Sequence, residues 1–164
     1  MKTIVLIGMM GTGKSTIGKI LAKKLHADFI DIDSEIENNE QMSINQIFET
    51  KGEEYFRKIE QKEIITSFKD NSVIALGGGA FENKQTRNFL INSSIIHLKT
   101  SPNIIYERIK NDKTRPLLKK QMTVEKITQI YNARAINYEK ANITIMTDNK
   151  TPEEIVKEIM EALK

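Results

Sequence analysis

The sequence predicts an α/β fold built around a parallel β-sheet. Five short runs rich in Ile, Val and Leu alternate with longer stretches whose apolar residues recur at helical spacing. The first run, residues 3–7, is almost continuously apolar, which is typical of a central strand covered on both faces. A glycine-rich loop follows it, and then Ile17, Ile20, Leu21 and Leu25 recur at helical spacing. Strand, loop and helix therefore begin the chain in that order.

The remaining elements follow with marked boundaries. Four more apolar runs predict strands at residues 29–32, 73–76, 95–98 and 143–146. Ser43 starts a capping-box pattern, Ser101 precedes a proline at a helix start, and Thr151 combines both devices. We expect one face of the last helix to dock on the rest of the domain through Ile155, Val156, Ile159, Met160 and Leu163.

Composition limits the classes of protein open to this chain. At 164 residues, 39% hydrophobic and 29% charged, it fits one globular domain, 1–164, and is too apolar for a disordered chain. The absence of cysteine excludes disulfides, thiolate nucleophiles and cysteine-ligated metals. His26 and His97 lack the spacing of a histidine metal site. No apolar run approaches the roughly 18 residues of a membrane span, so we expect a cytoplasmic protein with no membrane partner.

The glycine-rich loop carries the most specific motif. Residues 8–15, GMMGTGKS, match GxxxxGK[ST] between a predicted strand and a predicted helix, which is the P-loop of nucleotide-binding proteins. Its glycines let backbone N–H groups face phosphate, and the helix start adds the positive end of its dipole. In such a loop Lys14 reaches the β and γ phosphates and the Ser15 hydroxyl binds Mg²⁺. The loop therefore predicts binding of nucleotide phosphates.

Two carboxylates follow the second predicted strand. If that strand continues through residue 33, its period of two places Asp31 and Asp33 on one side, at the carboxyl edge where α/β sheets bind ligands. One carboxylate would hold hydrated magnesium and the other would orient or deprotonate a substrate hydroxyl. Helix-capping aspartates are the alternative. Because no aspartate closes the third strand, Asp31 is the expected carboxylate beside the metal.

Two further features gain a function only if they face the same cleft. Arg57 and Glu60 share a helix face at i, i+3, so Glu60 could orient Arg57 toward a carboxylate; a surface ion pair is the alternative. Gly77, Gly78 and Gly79 end a buried strand, which suggests close approach of another group to the backbone. A flexible turn is the other reading of the three glycines.

Together these motifs resemble the shikimate kinase family. The ordered set is the P-loop, DID at 31–33, FRKIE at 56–60, GGG at 77–79, RPLL at 115–118, the stretch 134–138 and TDNKTP at 147–152. The resemblance implies a P-loop NTPase fold with a five-stranded parallel sheet in order 2-3-1-4-5, flanked by helices. It also implies a substrate-binding segment at about 34–60 and a lid at about 110–122. The implied activity is ATP-dependent phosphorylation of the shikimate 3-hydroxyl, a step toward chorismate and the aromatic amino acids.

The resemblance also assigns roles to single residues. Lys14, Asp33 and Arg115 would be catalytic, and one Mg²⁺ would lie between Ser15 and Asp31. Glu60 would orient Arg57. The expected substrate-binding residues are Asp33, Arg57, Gly78, Gly79 and Arg134. The expected ATP-binding residues are Gly11, Thr12, Gly13, Lys14, Ser15, Thr16, Arg108, Arg115 and Lys150, with 149–152 as a wall of the base site.

The chain departs from the family pattern after Arg134. The family commonly reads R-x-P-L-Y there, whereas this chain has Ala135, Ile136, Asn137 and Tyr138. Without the proline we expect the helix to continue, which changes the setting of Arg134.

Charge narrows the choice of partner. The net charge is +3, and the polar, lysine-rich stretch 110–120 alone carries +4, so the rest of the chain carries −1. This excess on the expected lid suits a polyphosphate. Ten aromatic residues and no nucleic-acid-binding motif argue against nucleic acid, and we expect a monomer. The alternatives are a kinase for a gluconate-like acid or a nucleoside monophosphate, and a non-catalytic nucleotide-binding protein.

Overall fold

The computed structural model describes residues 2–110 and 123–164, and its centre is one sheet of five parallel strands in order β2-β3-β1-β4-β5. In register, Ile4 of β1 lies opposite Val73 of β3 on one side and Ser94 of β4 on the other. The predicted strands and strand order are confirmed. The strands are β1 (Ile4–Ile7), β2 (Asp28–Asp31), β3 (Ser72–Ala75), β4 (Ser94–Lys99) and β5 (Ile143–Met146).

Helices cover both faces of this sheet. The capping boxes predicted at Ser43 and Thr151 both form. In each, the cap hydroxyl accepts a hydrogen bond from the backbone N–H of the third helical residue, and the side chain of that residue accepts one from the backbone N–H of the cap residue. Across the described residues the helices are α1 (Lys14–Leu25), α2 (Ile32–Glu40), α3 (Ile44–Thr66), a 3₁₀ turn (Ala80–Glu82), α4 (Lys84–Phe89), α5 (Pro102–Ile109), α6 (Val124–Tyr138) and α7 (Pro152–Ala162). Over residues 2–110 and 123–164, none of them combines the length and apolar character that crossing a membrane requires.

The continuous apolar runs of the strands fill two cores. Alternate residues of β1 face opposite sides: Val5 and Ile7 pack toward α3, α5 and α6, whereas Ile4 and Leu6 pack toward α1 and α7. The last helix docks on the second core as predicted. Because every strand runs in the same direction, the loops after β1, β2 and β3 all open at one edge of the sheet.

The long helix α3 is interrupted at Gly52. This residue has φ 81° and ψ 169°, outside the helical region and in a part of backbone space that only glycine enters readily. The second part of α3, which carries Arg57, thus begins beside Glu53.

We expect Gly52→Ala to lower the free energy of unfolding by about 1–3 kcal/mol. A methyl group there meets no atom within 4 Å, so the loss comes from backbone strain alone. Urea unfolding measures it, with Lys62→Ala, an exposed helical site further along α3, as the matched control. Equal free energies for Gly52→Ala and the control would contradict the strain.

Candidate active site

The loop between β1 and α1 has the backbone of an anion cradle. Gly8, Gly11 and Gly13 have φ values of 146°, 74° and 90°, which side-chain-bearing residues rarely adopt. A methyl group on Gly8 would lie 2.6 Å from the carbonyl oxygen of Leu98. The loop therefore turns tightly into the N-terminus of α1, where N–H groups and the helix dipole favour an anion.

Two cations lie against this cradle. Lys14 Nζ donates to the carbonyl oxygens of Gly8 and Met9, at 3.0 and 2.9 Å. The Arg108 guanidinium, from α5, donates to the carbonyl oxygen of Gly11 at 3.0 Å. The structure thus brings Lys14 and Arg108 to the same loop. Positive charge and the N–H groups at the N-terminus of α1 together suit the phosphates of a nucleotide.

Ser15 and Asp31 meet beside the loop. The Ser15 hydroxyl donates to Asp31 Oδ2. Asp31 ends β2 and also caps α2, since its other carboxylate oxygen accepts from Ser34 N at 3.3 Å. A hydroxyl and a carboxylate are the hard oxygen donors that Mg²⁺ prefers, and magnesium in kinases usually takes only one or two protein ligands besides phosphate and water. The pair therefore fits magnesium.

No larger acidic cluster competes with this pair for a metal. Within residues 2–110 and 123–164 no group of three or more His, Cys, Asp or Glu residues could hold a metal ion. The fit to magnesium therefore rests on Ser15 and Asp31.

The two threonines of the expected nucleotide site lie in different surroundings. Thr12 is buried, and its hydroxyl donates to the Met9 carbonyl oxygen. Thr16 is exposed on the first turn of α1.

The strand-based placement of Asp33 is wrong. β2 ends at Asp31, so Asp33 lies in the first turn of α2. The cap at Asp31 ends the strand before its period of two can apply to Asp33. The two carboxylates accordingly lie in different surroundings, with Asp31 at the P-loop and Asp33 beside Gly77.

Gly77 marks the meeting point of two carboxyl groups. A methyl group on Gly77 would lie 2.7 Å from Glu60 Oε1 and 2.8 Å from Asp33 Oδ1. Real Cβ atoms essentially never come so close, so a side chain at position 77 would force the Glu60 or Asp33 carboxyl group to move. The backbone conformation at position 77 does not itself call for glycine, since its φ is not positive.

The next two glycines, Gly78 and Gly79, lie beside cations instead. A methyl group on Gly79 would lie 2.7 Å from Nη2 of Arg57, and one on Gly78 would lie 3.4 Å from Nη1 of Arg134. Arg134 Nη1 also donates to the Gly78 carbonyl oxygen at 3.0 Å. Arg57 and Arg134, which are far apart in sequence, therefore lie on consecutive glycines, and the interpretation of 77–79 as a surface for close approach is confirmed.

Glu60 holds Arg57 from within the protein. Arg57 Nη1 donates to Glu60 Oε2 at 2.8 Å, and Nη2 donates to Glu53 at 3.3 Å. Glu60 is only 3% exposed, so the ion pair is not a surface pair. Burial raises the pKa of Glu60 to about 7; Arg57 and Arg134 oppose this shift, and Asp33 adds to it. Glu60 is thus a buried acid that orients a cation.

The raised pKa of Glu60 predicts a pH dependence of stability. A carboxyl group whose folded-state pKa lies above 4.5 stabilises the folded state most below pH 4.5. That stabilisation is lost as pH rises toward about 7. The free energy of unfolding of the wild type minus that of Glu60→Gln should therefore fall across this range. Urea unfolding at intervals between these pH values measures the difference.

The matched control is Glu54→Gln on the same helix. Glu54 is exposed and its hydrogen bond to Lys58 lowers its pKa, so its contribution does not fall with rising pH. A difference curve for Glu60 that is flat, or that rises with pH, contradicts the assignment.

Helix α6 continues unbroken through residues 134–138, as the missing proline predicts. Arg134 and Tyr138 therefore lie one turn apart on one face. The Tyr138 hydroxyl donates to the same Gly78 carbonyl oxygen at 2.7 Å. Sequence reasoning missed Tyr138 as a site residue, although its i, i+4 spacing from Arg134 was a usable signal.

The turn after β5 is joined to the start of α5. Ser101 donates from its backbone and its hydroxyl to the Asp148 carboxylate, which holds residues 149–152 near α5. Lys150 pairs with Glu158 of α7 at 2.7 Å. Asp148 was missed because its partner lies 47 residues away.

Arg115 and the other lid residues, 111–122, lie outside the residues that the structure describes.

Comparison with known proteins agrees with this geometry. A family model described as shikimate kinase matches residues 10–164. The chain belongs to the shikimate kinase family. The shikimate kinase of Sulfurihydrogenibium sp. (strain YO3AOP1) is 46% identical over 166 residues, covering 100% of this chain and 99% of that protein.

Solved structures show the same relationship. Shikimate kinase from Acinetobacter baumannii in complex with shikimate matches with a TM-score of 0.94 and 34% identity, covering 99% of this chain and 93% of that one. A gluconokinase from Sinorhizobium meliloti 1021 shares the fold, with a TM-score of 0.57 and 16% identity over 99% and 91% of the two chains. Membership of the shikimate kinase family thus favours shikimate over gluconate.

Proposed function

We propose that this chain transfers the γ-phosphoryl group of ATP to the 3-hydroxyl of shikimate, giving shikimate 3-phosphate and ADP. One observation carries the proposal: Arg57 and Arg134 lie on the consecutive glycines Gly79 and Gly78, and Asp33 lies beside the preceding glycine. Two cations and one carboxylate at the mouth of a P-loop complement a small hydroxy acid. Relatives named shikimate kinase, one of them solved with shikimate, support this choice.

Recognition of shikimate follows from charge and position. The guanidinium groups of Arg57 and Arg134 bind the carboxylate, which fixes the ring against the Gly78 and Gly79 backbone. Glu60 holds Arg57 in place through its 2.8 Å ion pair. The bare glycines leave room for the ring, and a methyl group on Gly79 would lie 2.7 Å from Nη2 of Arg57.

The chemical step requires mainly positioning and charge neutralisation. Asp33 orients the 3-hydroxyl and accepts its proton while the oxygen attacks the γ-phosphorus and the bond to the bridging oxygen of ADP breaks. Lys14 and Arg115 neutralise the charge that develops on the transferring group. Ser15 and Asp31 would hold Mg²⁺, which screens the β and γ phosphates when it is bound.

The nucleotide lies on the P-loop in this proposal. The backbone of Gly11, Thr12 and Gly13 cradles the phosphates, with Lys14, Ser15 and Thr16 at the start of α1. Arg108 and Lys150, with the turn 149–152, flank the base. Arg108 already reaches the loop through the Gly11 carbonyl, which supports its place on the nucleotide side.

We further propose one kinase domain, 1–164, acting as a monomer in the cytoplasm, where ATP is available. Residues 34–60 would be the substrate-binding segment and 110–122 the lid. Its product would enter chorismate and aromatic amino acid biosynthesis. Closure of the lid over both substrates would exclude water and limit hydrolysis of ATP.

An acceptor screen tests the proposal. ADP release is measured in separate reactions that contain ATP and Mg²⁺. The acceptor is shikimate, gluconate or a nucleoside monophosphate, and one reaction contains no acceptor. We expect strong stimulation by shikimate alone. Stimulation by gluconate or a nucleotide without shikimate would support the other acceptors, and ATP binding without transfer to any acceptor would support the non-catalytic interpretation.

A further inference from the structure

One carbonyl oxygen in the site accepts two hydrogen bonds from the same helix. The Gly78 carbonyl oxygen accepts from the Tyr138 hydroxyl at 2.7 Å and from Arg134 Nη1 at 3.0 Å. A carbonyl oxygen has two lone pairs, so both bonds can form together. The Gly78 peptide and the Arg134 guanidinium are therefore fixed relative to each other.

Tyr138 is held in place by its surroundings. It is 1% exposed, and its ring stacks on His97 of β4 with a centroid distance of 4.7 Å and an interplanar angle of 24°. Burial raises the pKa of Tyr138 to about 12, so its hydroxyl keeps the proton that it donates.

Burial and two nearby lysines keep His97 neutral. Its burial, together with the charges of Lys99 and Lys14, lowers the pKa of His97 to about 4. Its Nε2 atom is buried and has no hydrogen-bond partner within residues 2–110 and 123–164. With Nε2 unpartnered among these residues, the neutral ring acts as a packing surface for Tyr138, and the Tyr131 ring lies at a centroid distance of 6.5 Å from His97.

We propose that Tyr138 is a positioning residue for the substrate carboxylate, because it fixes the Gly78 carbonyl and through it the guanidinium of Arg134. The unbroken course of α6 makes this possible, since it keeps Arg134 and Tyr138 one turn apart. Without the Tyr138 hydroxyl, the Gly78 carbonyl loses one of these two donors and keeps its bond to Arg134, and that pair can move together. The proposal rests on the proposed function, in which Arg134 binds the carboxylate.

Tyr138→Phe tests the proposal because it removes one oxygen and keeps the ring. We expect KM for shikimate to rise about tenfold, the effect of one lost buried hydrogen bond. KM for ATP and kcat should stay within about twofold, because the P-loop is untouched. Tyr131→Phe, on the same helix, is the matched control and should leave all three constants unchanged.

Two further measurements separate positioning from a general structural role. In an Arg134→Ala background, Tyr138→Phe should add nothing to KM for shikimate, because the group that it positions is gone. With the methyl ester of shikimate, which lacks the charge, Tyr138→Phe and wild type should have equal kcat/KM.

An unchanged KM for shikimate in Tyr138→Phe would overturn the proposal. So would an equal rise in KM for ATP, or an additive effect in the Arg134→Ala background. If the proposed function itself is wrong, the wild type does not phosphorylate shikimate at all. That outcome is distinct, since the acceptor screen detects it before any variant is made.

Discussion

Replacing Asp33 with asparagine lowers kcat for shikimate phosphorylation by about 10²- to 10⁴-fold. Asp33 lies in the first turn of α2, half-buried beside Gly77 and on the side of the cleft that carries Arg57 and Arg134. Asparagine keeps the size of the side chain, but it accepts no proton from the attacking hydroxyl. Steady-state rates at saturating ATP and shikimate measure the loss.

Asp28→Asn is the matched control for this variant. Asp28 starts β2 and pairs with Lys69 at the surface, at 2.6 Å, so its loss should leave kcat unchanged. A turnover of Asp33→Asn within a factor of about ten of the wild type would rule out the role assigned to Asp33.

Lys14→Met lowers kcat by about 10²- to 10³-fold, the usual loss when one group that stabilises transition-state charge is removed. Methionine keeps a flexible apolar chain of similar length, so the loop glycines keep their packing while the charge is lost. The Lys14 ammonium lies against the Gly8 and Met9 carbonyl oxygens, at the start of α1. Rapid mixing of enzyme, ATP and shikimate measures the rate of a single turnover.

Lys19→Met controls for the loss of a lysine from the same helix. Lys19 is exposed on α1, away from the loop glycines, and its replacement should leave the single-turnover rate unchanged. Equal single-turnover rates in Lys14→Met and Lys19→Met would show that the lysine at the loop contributes no more than a surface charge.

Local signals predicted most of the fold. The nearly continuous apolar runs of β1 and β3 reflect burial on both faces, and that pattern depends only on neighbouring residues. The strand order was implied by resemblance, since the runs alone do not fix which strands pair. The predicted end of β2, at residue 32, lies one residue beyond its observed end, because Asp31 caps α2 and thereby ends the strand.

The candidate site was predictable where its chemistry is local. The P-loop is one segment, and the Arg57–Glu60 spacing follows from helix geometry. The burial of Glu60 could not be predicted from its own stretch of sequence. It depends on Gly77, which lies in another part of the chain and has no side chain to occupy the space. The stack of His97 on Tyr138 likewise joins β4 to α6, and no sequence pattern reports such a contact.

Nuclear magnetic resonance of the reaction product tests the central claim most directly. The chain is mixed with ATP, Mg²⁺ and shikimate, and phosphorus and proton spectra identify the product. The site described above predicts one phosphomonoester, on the 3-hydroxyl, for each ADP formed. ADP accompanied only by inorganic phosphate, or a phosphate on a different hydroxyl, would contradict the assignment of Asp33, Arg57 and Arg134 to shikimate.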